Sequence, residues 1–401
     1  MSGLDLNPPK VSGPTENRDR LKAVKAGTEN RDGTENRDRL IIALASTPAG
    51  GWAAPMRQAR LKAPDDHEVA YYHCISRVVN REFVLGGEER ERFVEMMRCY
   101  EHFCGVRVLT YCVLSNHFHL LLAVPRRPAS MPGDAELLAR AKAVYSPQAL
   151  GTLRWQLEQW RKEGACREVE ALRTQVCRRM WDLGFYMKGL KQRFGGWFNR
   201  RAGRRGTLWE ERFKSVLVEG GEALAVIAAY IDLNPVRAGI VSDPKDYRWG
   251  GFGAALGGVR KARSGLREVM RLHRGRETGE KEALAAYRAF AFEAAGERAA
   301  GRNGARGRRG AKPEAVAAVK AAAGKLSRAE LLRCRVRHFA DGAALGTKKF
   351  VEAVFKKERH RFGARRRTGA RAVSGLDGMC ALRDLKKDAI RPPQPKSKRQ
   401  K

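Results

Sequence analysis

The sequence predicts an α+β fold built on an antiparallel sheet of four or more strands, in an order compatible with a ferredoxin-like arrangement. Three observations lead there. A run rich in β-branched and aromatic residues, "AYYHCISRVVNREFVL" from Ala70, is followed by the amphipathic "EERERFVEMMRCYEHFCG". Two further apolar runs, "VRVLTYCVL" and "HLLLAV", are separated only by the polar "SNH", a connection so short that it makes them antiparallel neighbours. A chain of 401 residues, 43% of them hydrophobic, can bury one main core with segments appended to it.

Residues 1–66 read as a disordered leader. "TENRDRL" at 15–21, "TENRD" at 28–32 and "TENRDRL" at 34–40 repeat with irregular spacing and little apolar content, so they cannot stack into a solenoid. The main domain is expected over 67–258. Its first strand starts near Ala70, and its first helix carries Phe93, Met96, Met97 and Tyr100 at helical spacing and ends at Gly105. The two strands joined by "SNH" follow. Residues 127–180 are charged and Ala/Leu-rich, interrupted by Pro128, Pro132 and Pro147, which predicts a helical insertion. "RRMWDLGFYMKGLKQRFGGWFNRR" continues as helix, with Gly184, Gly189, Gly195 and Gly196 blurring its limits. "ERFKSVLVE" is a fourth strand. "GGEALAVIAAYIDLNPVRAGIV" supplies a helix that opens at the glycines and closes before Pro235, which pushes its predecessor out of the helical region. Beyond it, 259–312 reads as a basic helical and linker segment, 313–390 as a mainly helical accessory module with a candidate DNA-binding role, and 391–401 as a basic tail.

Charge narrows the function. Lys and Arg number 79 against 44 Asp and Glu, a net +35 that calls for a polyanionic partner, most simply nucleic acid. Eight cysteines lie scattered without a CxxC pair, against a zinc knuckle or disulfide framework. No 18-residue apolar stretch and no signal-peptide pattern occur, so a cytoplasmic protein without a membrane partner is expected.

Within the third strand, His117 and His119 share a face with Leu121 and Ala123, while Phe118, Leu120, Leu122 and Val124 form the opposite, core-facing side. Two imidazoles at i and i+2 either face solvent at the start of an edge strand or chelate a divalent cation. Tyr230 and Asn234 lie one helical turn apart, and the stripe Leu224, Ile227, Ala228 and Ile231 leaves Tyr230 towards its edge. Alone, Tyr230 reads equally as a packing residue, and Asn234 as an Asn-Pro helix stop.

Four stretches give these residues a shared meaning: "YYHCISRVVNREFVL", "VLSNHFHLLLAVP", "NRRAGRRGTLWEERFKSVLVE" and "YIDLNPVRAGIVSDPKDYRWGGF". Over about residues 70–252, with 126–177 less clearly matched, the sequence resembles the REP-associated tyrosine transposases, relatives of the single-tyrosine transposases of small insertion sequences in the HUH endonuclease superfamily. The resemblance implies a sheet with helices on one face and the site on the other. It puts the family's His-hydrophobe-His motif on His117, Phe118 and His119, its nucleophile on Tyr230 and its third metal position on Asn234, with Mg²⁺ or Mn²⁺ as cofactor. Phe194 stands where some relatives have tyrosine; Tyr230 is the preferred nucleophile because only it has Asn234 one turn away, and Tyr186 is the fallback.

The implied activity is cleavage and rejoining of single-stranded DNA bearing REP-like palindromic hairpins, through a 5′-phosphotyrosine and a free 3′-OH. Arg200, Arg201, Arg204 and Arg205, with Arg212, Lys214 and Arg237, suit phosphate contacts. A monomer associated with the nucleoid is expected, with a dimer as the alternative. Two other classes stay open: a non-catalytic nucleic-acid-binding protein on the same fold, and a hydrolytic nuclease that uses water.

Overall fold

The computed structural model describes residues 60–64, 67–293, 332, 335–382 and 390–391. The leader repeats, the linker around "GARGRRG" and the basic tail lie outside the described residues. The chain divides into two units, Met1–Trp52 and Ala53–Lys401, and every described residue belongs to the second.

Strand β1 (Val69–Arg77) leads to helix α1 (Gly87–Cys104), then to β2 (Arg107–Val113) and β3 (His117–Pro125). Helix α1 stops at Gly105, whose positive φ closes it in the left-handed conformation that glycine reaches without strain. Its buried side chains include the Phe93, Met96, Met97 and Tyr100 stripe read from the sequence. The insertion is helical as expected: α2 (Asp134–Ala141), α3 (Pro147–Lys162) and α4 (Cys166–Cys177). Helix α3 starts where Ser146 accepts from the Ala149 N–H and Pro147 fills the first turn.

Helix α5 (Leu183–Arg201) begins later than the sequence implies, because Asp182 caps it by accepting from the Phe185 N–H at 2.8 Å. Its glycines do not break it. Gly189 lets α5 meet α1, since a Cβ there would come 2.3 Å from Tyr100 Cε1. Strand β4 (Lys214–Val218) then pairs antiparallel with β1.

The first four strands run in the order β2-β3-β1-β4, every neighbouring pair antiparallel. With α1 and α5 as crossovers, this is the ferredoxin-like arrangement, and both crossover helices lie on one face. That face is the Phe118 side: Phe93 of α1 stacks 4.5 Å from Phe118, and Phe194 of α5 lies 5.2 Å from Phe93.

The histidine face carries α6 (Glu222–Asp232) and the single turn α7 (Asn234–Arg237). Beside them pack α8 (Gly251–Leu256), α9 (Arg260–Arg274) and α10 (Glu280–Glu293), so the expected domain end at 258 falls short of the core. Gly265 of α9 sits against β2 so closely that a Cβ would be 2.3 Å from the Leu109 carbonyl oxygen. The sequence hides this role because α9 is so rich in arginine.

One buried carboxylate ties this face together. Asp232 accepts from Thr110 Oγ1 at 2.8 Å, from the Phe252 N–H at 3.1 Å and from the Tyr287 hydroxyl of α10; burial pushes its pKa up to about 6. Removing one donor leaves a buried carboxylate short of a partner, which costs about 2 kcal/mol. Tyr287→Phe is therefore expected to lower the unfolding free energy in urea by that amount, whereas a loss below about 0.5 kcal/mol would mean that the bond does not anchor α10.

The C-terminal block carries strands beside the expected helices. Its described residues hold a short strand β5 (Arg335–Val336), helix α11 (Arg337–Asp341), β6 (Ala344–Thr347), α12 (Lys348–Lys357), β7 (Ala370–Ala372), β8 (Met379–Leu382) and β9 (Ile390–Arg391). β6 pairs parallel to β4, β8 pairs with β6 and β7 with β8, giving a seven-stranded sheet. The described strands of the block extend the main sheet, beside its helices. The physical reason is the β4 edge, whose free N–H and C=O groups would otherwise face outward. "ALGT" covers it because it is apolar and small: a Cβ on Gly346 would lie 2.6 Å from Glu219 Cβ. Among the described residues, no helix is long and apolar enough to cross a membrane.

Candidate active site

β3 aligns with β1 so that His119 pairs with Ile75 and Leu121 with His73. Alternation then puts His73, His119 and His117 on one face, and a third histidine that the sequence reading passed over enters the site. His73 is wholly buried and His119 nearly so, at 4% exposure. Their rings stack with centroids 5.1 Å apart, and His73 Nε2 lies 2.9 Å from His119 Nδ1. His117, half-buried at the strand's start, contacts Asn116 Oδ1 through Nδ1 at 2.6 Å and stands edge-on to His119 at 5.1 Å.

Burial favours the uncharged ring. It lowers His73 to a pKa of about 4, helped by Arg237. It lowers His119 well below the ordinary value, and charge on His73, His117, Arg237 or Arg77 would act in the same direction.

Opposite the histidines stands Tyr230, its ring 6.2 Å from His73 and 6.4 Å from His119. Tyr230 is only 2% exposed, not at the edge of a half-covered helix as its position in the stripe implies. α6 is buried along its length from Ala223 to Asp232, because α9, α10 and the C-terminal segment cover the sides that the sheet does not. Phe339 of α11 meets the Tyr230 ring at 4.9 Å, and its carbonyl lies 2.6 Å from His73 Nδ1. No described residue hydrogen-bonds the Tyr230 hydroxyl.

Asn234 and Arg237 hold the end of α6. Asn234 Nδ2 donates to the Ile231 and Tyr230 carbonyls at 3.1 and 3.3 Å. Arg237 donates to the Tyr230 carbonyl at 2.6 Å and to Leu332 at 2.7 Å, and its guanidinium lies 3.9 Å over the Tyr230 ring. Three expected functional residues thus touch the C-terminal segment: Tyr230 through Phe339, Arg237 through Leu332, and Lys214 through a 2.8 Å ion pair with Asp341.

The other expected phosphate-binding residues gather at the end of α5. Arg201 pairs with Glu88 and Glu89, Arg204 approaches Glu82 at 3.9 Å, and Arg200 and Arg205 are exposed. The loop after them is stitched to the end of β1, Val79 N–H to Leu208 O and Glu210 N–H to Arg77 O, so these arginines sit at the same end of the sheet as His117. Arg212 lines a cleft of about 670 Å³ with Arg60, Lys188 and Lys191, on the α5 side. Trp209 packs against Phe118 and Phe194 there, and Trp197 against Phe194.

The two rival aromatics lie across the sheet from the histidines. Phe194 is fully buried against Phe93, and Tyr186 is fully buried with its hydroxyl donating to the Met97 carbonyl at 3.4 Å. Among the described residues, no three His, Cys, Asp or Glu side chains converge in a metal-binding group.

Residues 67–132 match the family model described as "Transposase IS200 like". That span holds β1 to β3 with His73, His117 and His119, and ends before Tyr230. A solved structure described as "Structure of the REP associates tyrosine transposase bound to a REP hairpin" shares 13% identity, covering 51% of this chain and 87% of that one, with a TM-score of 0.29. No curated protein matches the chain.

Proposed function

We propose that the protein is a metal-dependent tyrosine transposase or endonuclease acting on single-stranded, hairpin-forming DNA, in the cytoplasm and on chromosomal palindromes of the REP kind. The observation that carries this is the placement of the Tyr230 ring 6.4 Å from the His119 ring, its hydroxyl unclaimed by any described residue. The family match over 67–132 and the charge of +35 support the same reading.

The Tyr230 oxygen attacks the scissile phosphorus and the bond from phosphorus to the 3′ oxygen breaks. The phenolic proton passes to solvent and the departing oxygen takes one up, leaving a 5′-phosphotyrosine and a 3′-OH whose recombination reseals the strand. With a reference pKa near 10, only about 0.1% of a free phenol is ionised at pH 7, so the site must assist.

The histidines and asparagine fit a divalent cation. His119 makes its protein contact through Nδ1, which gives its Nε2 the ligand role, and the Asn234 amide nitrogen is turned to helix carbonyls, which gives Oδ1 another. Mn²⁺ or Mg²⁺ at His117, His119 and Asn234 would polarise the phosphate and offset charge on the leaving oxygen. So few protein donors leave room for phosphate and water. Arg237 and Asn234 keep Tyr230 in place from behind.

A denaturing gel of the protein with labelled hairpin oligonucleotides and Mn²⁺ tests the reading. A covalent adduct is expected. Cleaved, protein-free product would make the protein a hydrolytic nuclease, and intact DNA would make it a binding protein only.

Arg200, Arg201, Arg204, Arg205, Arg212 and Lys214 would hold DNA phosphates. Binding measured against salt is expected to follow a straight log–log line, with a slope that shrinks by about 0.7 for each single-strand phosphate contact removed. Arg212→Ala should produce one such step; an unchanged slope would take Arg212 out of the interface.

A further inference from the structure

His73 is no ligand in the reading above, yet its contacts determine which nitrogen of His119 can bind an ion. The Phe339 carbonyl can only accept, so His73 carries a proton on Nδ1, 2.6 Å away. Between His73 Nε2 and His119 Nδ1, 2.9 Å apart, one nitrogen must be a bare acceptor. Two arrangements satisfy this. If His73 were a cation, it would donate to His119 and leave the proton of a neutral His119 on Nε2, where it blocks ligation. If His73 is neutral, its Nε2 accepts and His119 donates from Nδ1, so that a neutral His119 keeps its lone pair on Nε2 and only a charged one would lose it.

The surroundings select the second. Both rings are buried and stacked on each other, and their hydrogen bonds run to a backbone carbonyl and to one another, so an imidazolium there would be held out of water by neutral partners. We infer that His73 is a positioning residue: by accepting from His119 Nδ1–H it fixes His119 in the tautomer whose Nε2 carries the lone pair. The chain of bonds from the Phe339 carbonyl through His73 to His119 is a second layer behind the ligand, of the sort that orients metal-binding histidines elsewhere. The inference rests on the metal-centre reading only for the use to which the lone pair is put.

The test is ¹⁵N NMR of the full-length, metal-free protein labelled at histidine, combined with Mn²⁺ titration calorimetry. In the wild type, His119 and His73 should both be protonated at Nδ1 and bare at Nε2. His73→Gln offers an oxygen near the Nε2 position, so it should keep the His119 tautomer and hold Mn²⁺ affinity within a few fold. His73→Phe should release His119 to the Nε2–H form and weaken Mn²⁺ by about 10–100-fold. A proton on His119 Nε2 in the wild type would overturn the inference, as would a His73→Phe variant with unchanged tautomer. Nδ1 protonation in a wild-type protein that takes up no Mn²⁺ would uphold the tautomer assignment and sink the metal-centre reading instead.

Discussion

Tyr230→Phe is expected to fold as the wild type does, bind hairpin DNA as tightly, and form no covalent adduct, with cleavage down at least about 10³-fold. The two halves of that expectation have separate grounds. The stability half follows from packing: Phe339, His73, His119 and the Arg237 guanidinium all address the ring, and no described residue bonds the hydroxyl. Removing the oxygen therefore breaks no bond, and urea midpoints should agree within about 0.5 kcal/mol. The activity half follows from chemistry, because no other oxygen on the ring can attack phosphorus. An adduct that survives, with stability unchanged, would move the nucleophile elsewhere.

The second large effect should come from Phe339→Ala, and it runs in opposite directions for stability and activity. Phe339 is fully buried over Tyr230, and truncating such a side chain costs about 3–5 kcal/mol. Yet a nucleophile only 2% exposed cannot reach a phosphate until this segment moves aside. If the closed arrangement is favoured by about 1.4 kcal/mol or more, loosening it raises the reactive fraction about tenfold or more. Adduct formation, measured at a temperature where both proteins remain folded, should therefore be faster in the less stable variant. A slower rate would mean that Phe339 helps to build the reactive site instead of covering it. Lys214 and Arg237 would be released in the same motion, since Asp341 and Leu332 hold them.

The ferredoxin-like core was legible because its signals are local. β1 to β4 alternate or run apolar over five to nine residues, and α1 shows its stripe at helical spacing. The His117 and His119 pair and the Tyr230 to Asn234 spacing were legible for the same reason. What stayed hidden depends on partners far along the chain. β6, β7 and β8 are three or four residues long within an arginine- and glycine-rich block, too short to show a period. α9 and α10 read as a basic helical and linker segment outside the core because α9 meets β2 through a glycine. Tyr230 looked half-exposed because the side chain that covers it, Phe339, comes more than a hundred residues later. His73 sits in a run that looked only strand-forming, and nothing in that run fixes the register that sets it against His119.

Covalent joining of Tyr230 to DNA opposite the histidine face is open to direct test by mapping the link itself. Wild-type protein is reacted with hairpin oligonucleotide and Mn²⁺, digested with nuclease and protease, and the nucleotide-bearing peptide is sequenced by mass spectrometry. One modified peptide is expected, carrying its nucleotide through a 5′-phosphate on Tyr230. A nucleotide on any other residue, or cleaved DNA with no modified peptide, would contradict it.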